Sequence, residues 1–411
     1  MHILLIHQAF ASLEEPGGTR HYELARLLVA AGHRLTVIAS PVSYITGARV
    51  SAQHASSAEQ DVPGLMILRA SVYEAHHRSF LHRLLAFFTF MLSSFWLGLR
   101  VPAVDVVWGT SPPIFQGVTA WVLARLKRAR FLFEVRDLWP EFAVAVGVLK
   151  DRTLIRLSEW LERLLYRKAD CVMVNSPGFV EHVRRRGARR IELVPNGADP
   201  SMFDVLADGR AVRRQYGLGD LFVALYAGAH GMSNDLNVLV DAAQLLQGAP
   251  VHLVLVGDGK EKVALMSRAS ALGLQNVTFL PSVPKKQMPE ILAAADAGIA
   301  ILKPIEAYKT TYPNKVFDYM AAGRPVLLVI DGVIRSVVES AQCGVFVQPG
   351  EARALADAIR SLAEDPQLAR KMGLAGKTYL EQNFSRDQIA RKLLQVLEST
   401  LHDRSADDRS R

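Results

Sequence analysis

A chain of 411 residues, 50% of them hydrophobic, is too long for one ordinary core and fits two domains of roughly 200 residues each. Ordinary glycine and proline contents, 28 and 19 residues, exclude the fibrous and disordered classes. Two distant cysteines, Cys171 and Cys343, make neither a disulfide framework nor a metal cluster, which suits a reducing cytosol; a net charge of +8 favours anionic partners.

The chain opens on an apolar run of strand length, residues 2–7, with no basic stretch before it of the kind that marks a secretory leader. A polar loop ending in "EPGGTRHYE" follows, then a helical pattern over 19–31 and a strand over 35–40. Further strands are predicted at 66–70, 104–108, 131–135, 170–174 and 191–194, with helices at 113–127, 153–168 and 177–187. The stretch 79–100 is broken by His82 and Arg83, leaving 16 residues from Leu84 to Leu99, short of the roughly 20 a spanning helix needs. It reads as a helix that is either buried in the core or interfacial. The arginine cluster Arg184, Arg185, Arg186, Arg189 and Arg190 reads either as a solvated helix end or as a contact for phosphate or membrane.

Turn formers gather from Pro195 through Gly219 and mark a domain boundary. A second strand series follows at 221–227, 251–256, 276–280, 298–302, 325–329 and 344–347. Helices then fill 352–363, 366–383 and 386–401. Strands alternating with long crossovers imply parallel sheets covered on both faces. The expected architecture is α/β: two Rossmann-like, doubly wound domains facing across a cleft. Residues 1–200 form the acceptor-side domain and 201–383 the donor domain. A C-terminal helix at 384–403 packs back on the first domain, and 404–411 is a frayed tail.

Open α/β sheets bind ligands beyond the carboxyl ends of their strands, where strand order reverses. After the first strand stand Gly17 and Gly18, whose backbone a ligand can approach closely, then Thr19, Arg20 and His21. The loop is equally readable as a turn into a helix capped by Thr19. It lacks G-x-G-x-x-G, which disfavours a nicotinamide dehydrogenase. After the fifth strand, "FEVRDLWPE" crowds Glu134, Arg136, Asp137 and Glu141 at a strand end. Such charges need partners, as in an ion pair of Arg136 with Asp137 or Glu141, or a ligand. In "YAGAHGMSND", Gly228 and Gly231 flank His230, with Asn234 or Asp235 capping the next helix, an arrangement suited to phosphate. In "VGDGKEK", Lys260 and Lys262 follow two glycines. In "TTYPNKVFDYMAAGRPV", Pro313 opens a short helix bearing Asn314, Lys315 and Asp318. Lys315 and Asp318 share a face, as a surface ion pair or as part of a ligand platform.

These stretches, with "NSPG" and "VPNGAD", are similar in order and spacing to glycosyltransferase family 4, retaining enzymes of the GT-B fold, over nearly the whole chain. The resemblance is strongest to a subgroup in bacterial surface-polysaccharide, O-antigen and lipopolysaccharide assembly that often handles N-acetylated aminosugars. It implies that Gly17 and Gly18 meet the donor diphosphate and the acceptor, and that Gly228, His230 and Gly231 open the donor site. Ser282 and Val283 would read the base through backbone atoms, and Asp318 would hold the ribose as the second acid of a Glu-x7-Glu motif. Thr310 stands where the first glutamate belongs. The arginine and lysine that commonly neutralise the diphosphate are missing from "GAHGMSND"; Lys260 and Lys315 are candidates for that charge.

The implied reaction transfers a hexosyl group from a nucleoside-diphosphate sugar to a lipid-linked saccharide or lipopolysaccharide, with retention. No metal or other cofactor is expected, since Asp-x-Asp and metal-type His or Cys spacings are absent. Arg136, Asp137 and His21 are the catalytic candidates, with Asp137 steering the acceptor or stabilising positive charge at the anomeric carbon. The expected place is the cytoplasm, peripherally on the inner face of the cytoplasmic membrane. A sugar-nucleotide 2-epimerase of the same fold and a non-catalytic sugar-nucleotide-binding subunit are the alternatives. Nucleic-acid binding is disfavoured, because no aromatic-basic interleaving occurs.

Overall fold

The computed structural model describes residues 1–43, 47, 49, 62–73 and 80–407. It divides into an N-terminal unit, Met1–Pro195 with Asp387–Arg411, and a C-terminal unit, Asn196–Arg386. The chain thus changes unit just before "NGAD", within the turn-rich segment, and again inside its last helix. Of the tail expected at 404–411, residues 408–411 lie outside the described residues.

The N-terminal unit contains β1 (His2–Ile6), α1 (Arg20–Ala30), β2 (Arg34–Ala39), β3 (Leu65–Arg69), α2 (Phe80–Arg100), β4 (Val106–Ser111), α3 (Phe115–Lys127), β5 (Arg130–Val135), α4 (Glu141–Ala145), α5 (Arg152–Lys168), β6 (Cys171–Val174), α6 (Val180–Arg185) and β7 (Ile191–Leu193). Its seven strands are parallel in the order β3-β2-β1-β4-β5-β6-β7. Strand order reverses beside β1, so the segments after β1, β4 and β5 gather at one edge. Strands such as "HILLI" are buried throughout, as expected of a sheet covered on both sides.

α2 is neither wholly core nor wholly surface. Ala86, Phe90, Ser94 and Gly98, four apart, are buried against the unit. A Cβ on Gly98 would lie only 2.4 Å from Leu123 Cδ1, so glycine lets α2 approach α3 closely. No described helix is long and apolar enough to cross a membrane. Four of the five clustered arginines form ion pairs, Arg184 and Arg185 with Glu181, Arg186 with Glu159 and Glu162, and Arg190 with Glu192, while Arg189 forms none among the described residues.

The C-terminal unit contains α7 (Arg210–Gln215), β8 (Phe222–Ala227), α8 (Asn237–Leu245), β9 (Val251–Val256), α9 (Lys262–Ala271), β10 (Val277–Leu280), α10 (Met288–Ala293), β11 (Ala297–Ile301), α11 (Asn314–Ala321), β12 (Val326–Val329), α12 (Val333–Ser340), β13 (Gly344–Phe346), α13 (Ala352–Glu364) and α14 (Pro366–Asn383). Its sheet is also parallel, in the order β10-β9-β8-β11-β12-β13. Gly298 on β11 makes room for α11, since a Cβ there would lie 2.3 Å from the Tyr319 ring. The last helix, α15 (Arg386–Asp407), contributes Ile389, Leu393, Val396 and Leu397 to the core of the N-terminal unit.

Candidate functional site

Each unit carries polar groups just past its strand ends. In the N-terminal unit the organiser is Glu134, fully buried on β5. Arg20 Nε donates to its Oε1 at 3.3 Å; His21 Nε2 and Trp108 Nε1 donate to its Oε2 at 2.7 and 3.1 Å. Burial alone would raise the carboxyl, but the His21 contact and the Arg20 and Arg136 guanidiniums outweigh it and hold it at about 2. Burial also keeps His21 neutral, at about 4, despite Glu134. With Nε2–H committed to Glu134, His21 Nδ1 is left as a buried acceptor with no partner among the described residues. Arg20 also donates to the carbonyls of Val194 and Pro195 at 2.8 and 2.6 Å, tying α1 to the exit of β7.

Beside this cluster lies His7, whose ring centroid is 4.1 Å from that of His21. Burial, then the positive charges nearby, holds His7 well below its ordinary range. Arg136 Nη1 donates to the neutral ring's Nε2 at 3.3 Å, so its Nδ1–H donates to Thr110 Oγ1 at 2.8 Å. Gln116 Nε2 donates to the same hydroxyl at 2.7 Å, and Gln116 Oε1 accepts the Gln8 amide at 2.7 Å. A relay from β1, β4 and α3 therefore orients Arg136. Its Nη2 lies 4.0 Å from where a Gly18 Cβ would stand.

Asp137 is exposed, and its carboxylate takes no hydrogen bond or ion pair among the described residues. Surrounding protein pushes it up to about 6, Arg136 works the other way, and its contact with solvent tempers the first effect. The ion pair of Arg136 with Asp137 or Glu141 does not form; Glu141 pairs with His182 instead. Thr19 does not cap α1 through its side chain, because its hydroxyl donates to the Glu23 carboxylate.

In the C-terminal unit, Gly228 follows β8 with φ +154°. A Cβ there would fall 2.9 Å from Lys315 Nζ, so the lysine end lies directly on the glycine. Lys315 Nζ also sits 4.0 Å from the Tyr226 ring centroid. It has no ion pair or hydrogen bond among the described residues, and burial pushes it down to about 7. His230 is fully buried and neither ring nitrogen has a partner among the described residues. Burial, then Lys262, lowers it to about 4. Asn314 Oδ1, at the start of α11, is likewise buried without a partner. An unpaired ammonium and an unpaired imidazole thus meet at one glycine loop, while the Asn314 oxygen, one residue before Lys315, is an acceptor that suits a hydroxyl. Buried polar groups of that kind normally find partners, so the grouping suits a polar, anionic ligand.

The other expectations divide. Lys260 is exposed and makes no hydrogen bond or ion pair among the described residues; Lys262 instead holds Gly257 O, Leu280 O and Asp258 at 2.8–2.9 Å. The Ser282 amide and hydroxyl are both donated to Asp258, so that N–H is already engaged, while Val283 packs on the core. Lys315 and Asp318 do not pair: Lys285 takes the Asp318 carboxylate at 2.6 Å. Thr310 donates to Ala307 O at 2.6 Å. Neither Asn234 nor Asp235 caps α8; Asn234 donates to Ala229 O, and the helix starts later, at Asn237. Gly231 leaves open space for a Cβ, with Asn234 Nδ2 at 4.0 Å. Gly17 has φ +150°. Among the described residues no group of three or more His, Cys, Asp or Glu is placed to hold a metal.

Two parallel, doubly wound units with polar groups at their switch points define the GT-B class of glycosyltransferases, and solved structures agree. A sucrose-phosphate synthase of Thermosynechococcus elongatus superposes with a TM-score of 0.77 at 20% identity, covering 98% of this chain and 99% of that one. Anabaena HepE in complex with UDP-glucose gives 0.73 at 18%, over 97% and 100%. WaaG, a glycosyltransferase involved in lipopolysaccharide biosynthesis, gives 0.71 at 16%, over 97% and 99%. Two family models cover most of the chain between them: that for glycosyl transferases group 1 matches residues 210–379, and that for a glycosyl transferase 4-like domain matches 17–197. Among curated relatives, the Escherichia coli K12 protein named "Putative colanic acid biosynthesis glycosyl transferase WcaI" is 24% identical over 385 residues, 90% of this chain and 93% of that one. The lipopolysaccharide core biosynthesis glycosyltransferase LpsE of Rhizobium meliloti is 28% identical over 246 residues, 59% and 69% of the two chains.

Proposed function

We infer that the chain is a glycosyltransferase of polysaccharide or lipopolysaccharide biosynthesis, a reading its family models and the names of its relatives support. We propose that it transfers a hexosyl group, with retention, from a nucleoside-diphosphate sugar to a saccharide carried on lipid at an anionic membrane surface. The observation that carries the donor assignment is Lys315: an ammonium without a partner among the described residues, lying on Gly228 beside His230, whose ring nitrogens are likewise without one. A diphosphate there meets one cation and polar side-chain groups, and its developing charge on departure is stabilised by groups already in place. This arrangement supplies charge without a metal ion. Asp318, tied to Lys285, is assigned to the ribose.

On the acceptor side, Asp137 and the oriented Arg136 face the reaction as carboxylate and cation. His21, neutral and fixed by Glu134, offers Nδ1 as a hydrogen-bond acceptor for a hydroxyl. In this reading the leaving phosphate takes the acceptor's proton, and Asp137 steers the acceptor. The test is a thermal-shift panel of uridine, guanosine and deoxythymidine diphosphates. One of them raises the melting temperature in the parent chain and fails to do so in Lys315→Met. A panel without any shift at millimolar ligand would count against the donor assignment.

A further inference from the structure

One outer face of the N-terminal unit is apolar where a globular surface is ordinarily polar. α2, α3 and α5 cover the same side of the seven-stranded sheet. Along α2, Leu85, Phe88, Leu92 and Trp96 recur at helical spacing and are 44%, 43%, 58% and 63% exposed. On α5, Leu154, Leu157 and Trp160 are exposed in the same manner. Exposed apolar residues scattered singly need no explanation, but rows of them on two helices that both pack on α3 do. From Phe88 an aromatic path continues inward: its ring lies 4.9 Å from that of Phe115, which lies 6.4 Å from that of Trp139. Trp139 is two residues past Asp137.

The charge on these helices is one-sided. α2, α3 and α5 together carry nine Lys and Arg against two Glu. Both glutamates, Glu159 and Glu162, are already in ion pairs. A twofold contact with a second copy would set this cationic surface against itself. An anionic bilayer complements both its charge and its apolar rows.

We propose that this face seats the N-terminal unit on an anionic lipid bilayer, with Trp96 and Trp160 at headgroup depth and the Phe88–Phe115–Trp139 row running from the lipid towards Asp137. The inference deepens the membrane-acceptor reading and rests on it only for what the row delivers. The test is cosedimentation of the full chain with phosphatidylglycerol and phosphatidylcholine vesicles, with light scattering alongside. The parent chain should bind phosphatidylglycerol at least tenfold more tightly than phosphatidylcholine, and less tightly as salt rises. Leu92→Glu with Trp96→Glu should lower that binding at least tenfold. Arg152→Glu with Arg156→Glu should lower it at low salt only. Both double variants alter exposed side chains, and an unchanged nucleotide-induced thermal shift verifies their fold. Equal recovery with and without vesicles overturns the proposal. So does a dimer of the parent chain that the Trp96 variant dissolves. Transfer to a water-soluble acceptor that persists without vesicle binding removes this face and leaves the enzymatic reading standing. Vesicle binding without any sugar transfer does the reverse.

Discussion

The proposed donor site should answer to pH through Lys315. Its ammonium lies on Gly228 and over Tyr226 with no counter-ion among the described residues, and burial brings it from 10.5 to about 7. Taken whole, that shift disfavours the charged form by ~5 kcal/mol. Because the folded-state pKa lies below the unfolded one, the unfolded chain holds the extra proton between pH 7 and 10.5. Stability of the ligand-free chain therefore rises with pH across that window and is lower below it. A bound diphosphate needs the ammonium. Between pH 7 and 8.5 the protonated fraction falls on the order of tenfold, and affinity for a nucleoside-diphosphate sugar should fall with it. The neighbours do not titrate there: His230 lies at about 4 and Asp258 at about 2. The esterified diphosphate of a nucleotide sugar is equally silent. Calorimetric titration across this range, for the parent chain and for Lys315→Met, is the assay. The variant should bind on the order of ten- to a hundredfold more weakly, with a flat pH profile. A flat profile in the parent chain, or full affinity in Lys315→Met, would refute the reasoning.

Four more outcomes follow from the geometry. Glu134→Gln breaks a buried ion cluster and should cost about 3–5 kcal/mol in urea unfolding. Burial that keeps His21 at about 4, below its unfolded 6.5, contributes stability above pH 6.5 that is lost as pH falls to 4. Melting temperature should drop through that interval, and less steeply in His21→Asn. Asp137→Asn should lower sugar transfer at least a hundredfold while leaving the nucleotide-induced thermal shift intact, since its carboxylate holds no structural contact. Exhaustive chelation with EDTA should leave transfer unchanged; a loss restored by one divalent ion would overturn the metal-free reading.

The sheets were legible because strands buried on both sides are unbroken apolar runs, and turn formers punctuate them. Residues 251–256, "VHLVLV", are β9 as read. The helix at 79–100 was harder. Its composition is apolar all round, and only packing shows that Ala86, Phe90, Ser94 and Gly98 turn inward while Trp96 turns out. Glycine loops and "RDLWPE" stood out by local composition. The partners of those residues did not, because they come from distant strands. Nothing local to Glu134 announces Arg20, His21 and Trp108, and nothing near Asp318 announces Lys285. Lysine and aspartate three apart on one helix suggested a pair, but Lys315 was drawn to the glycine loop instead. Nothing local announces His7, Thr110 and Gln116 either: His7 follows β1, Thr110 lies near the end of β4 and Gln116 at the start of α3, and only the fold joins them.

The central claim is sugar transfer with retention to a lipid-borne acceptor. Its most direct measurement incubates the chain with a labelled nucleoside-diphosphate sugar and a bacterial lipid extract, then reads the anomeric configuration of the extracted product by NMR. The account requires label in the lipid phase only when extract is present, with the donor's own configuration kept. Inverted configuration, or conversion of the sugar nucleotide with no acceptor supplied, would contradict it.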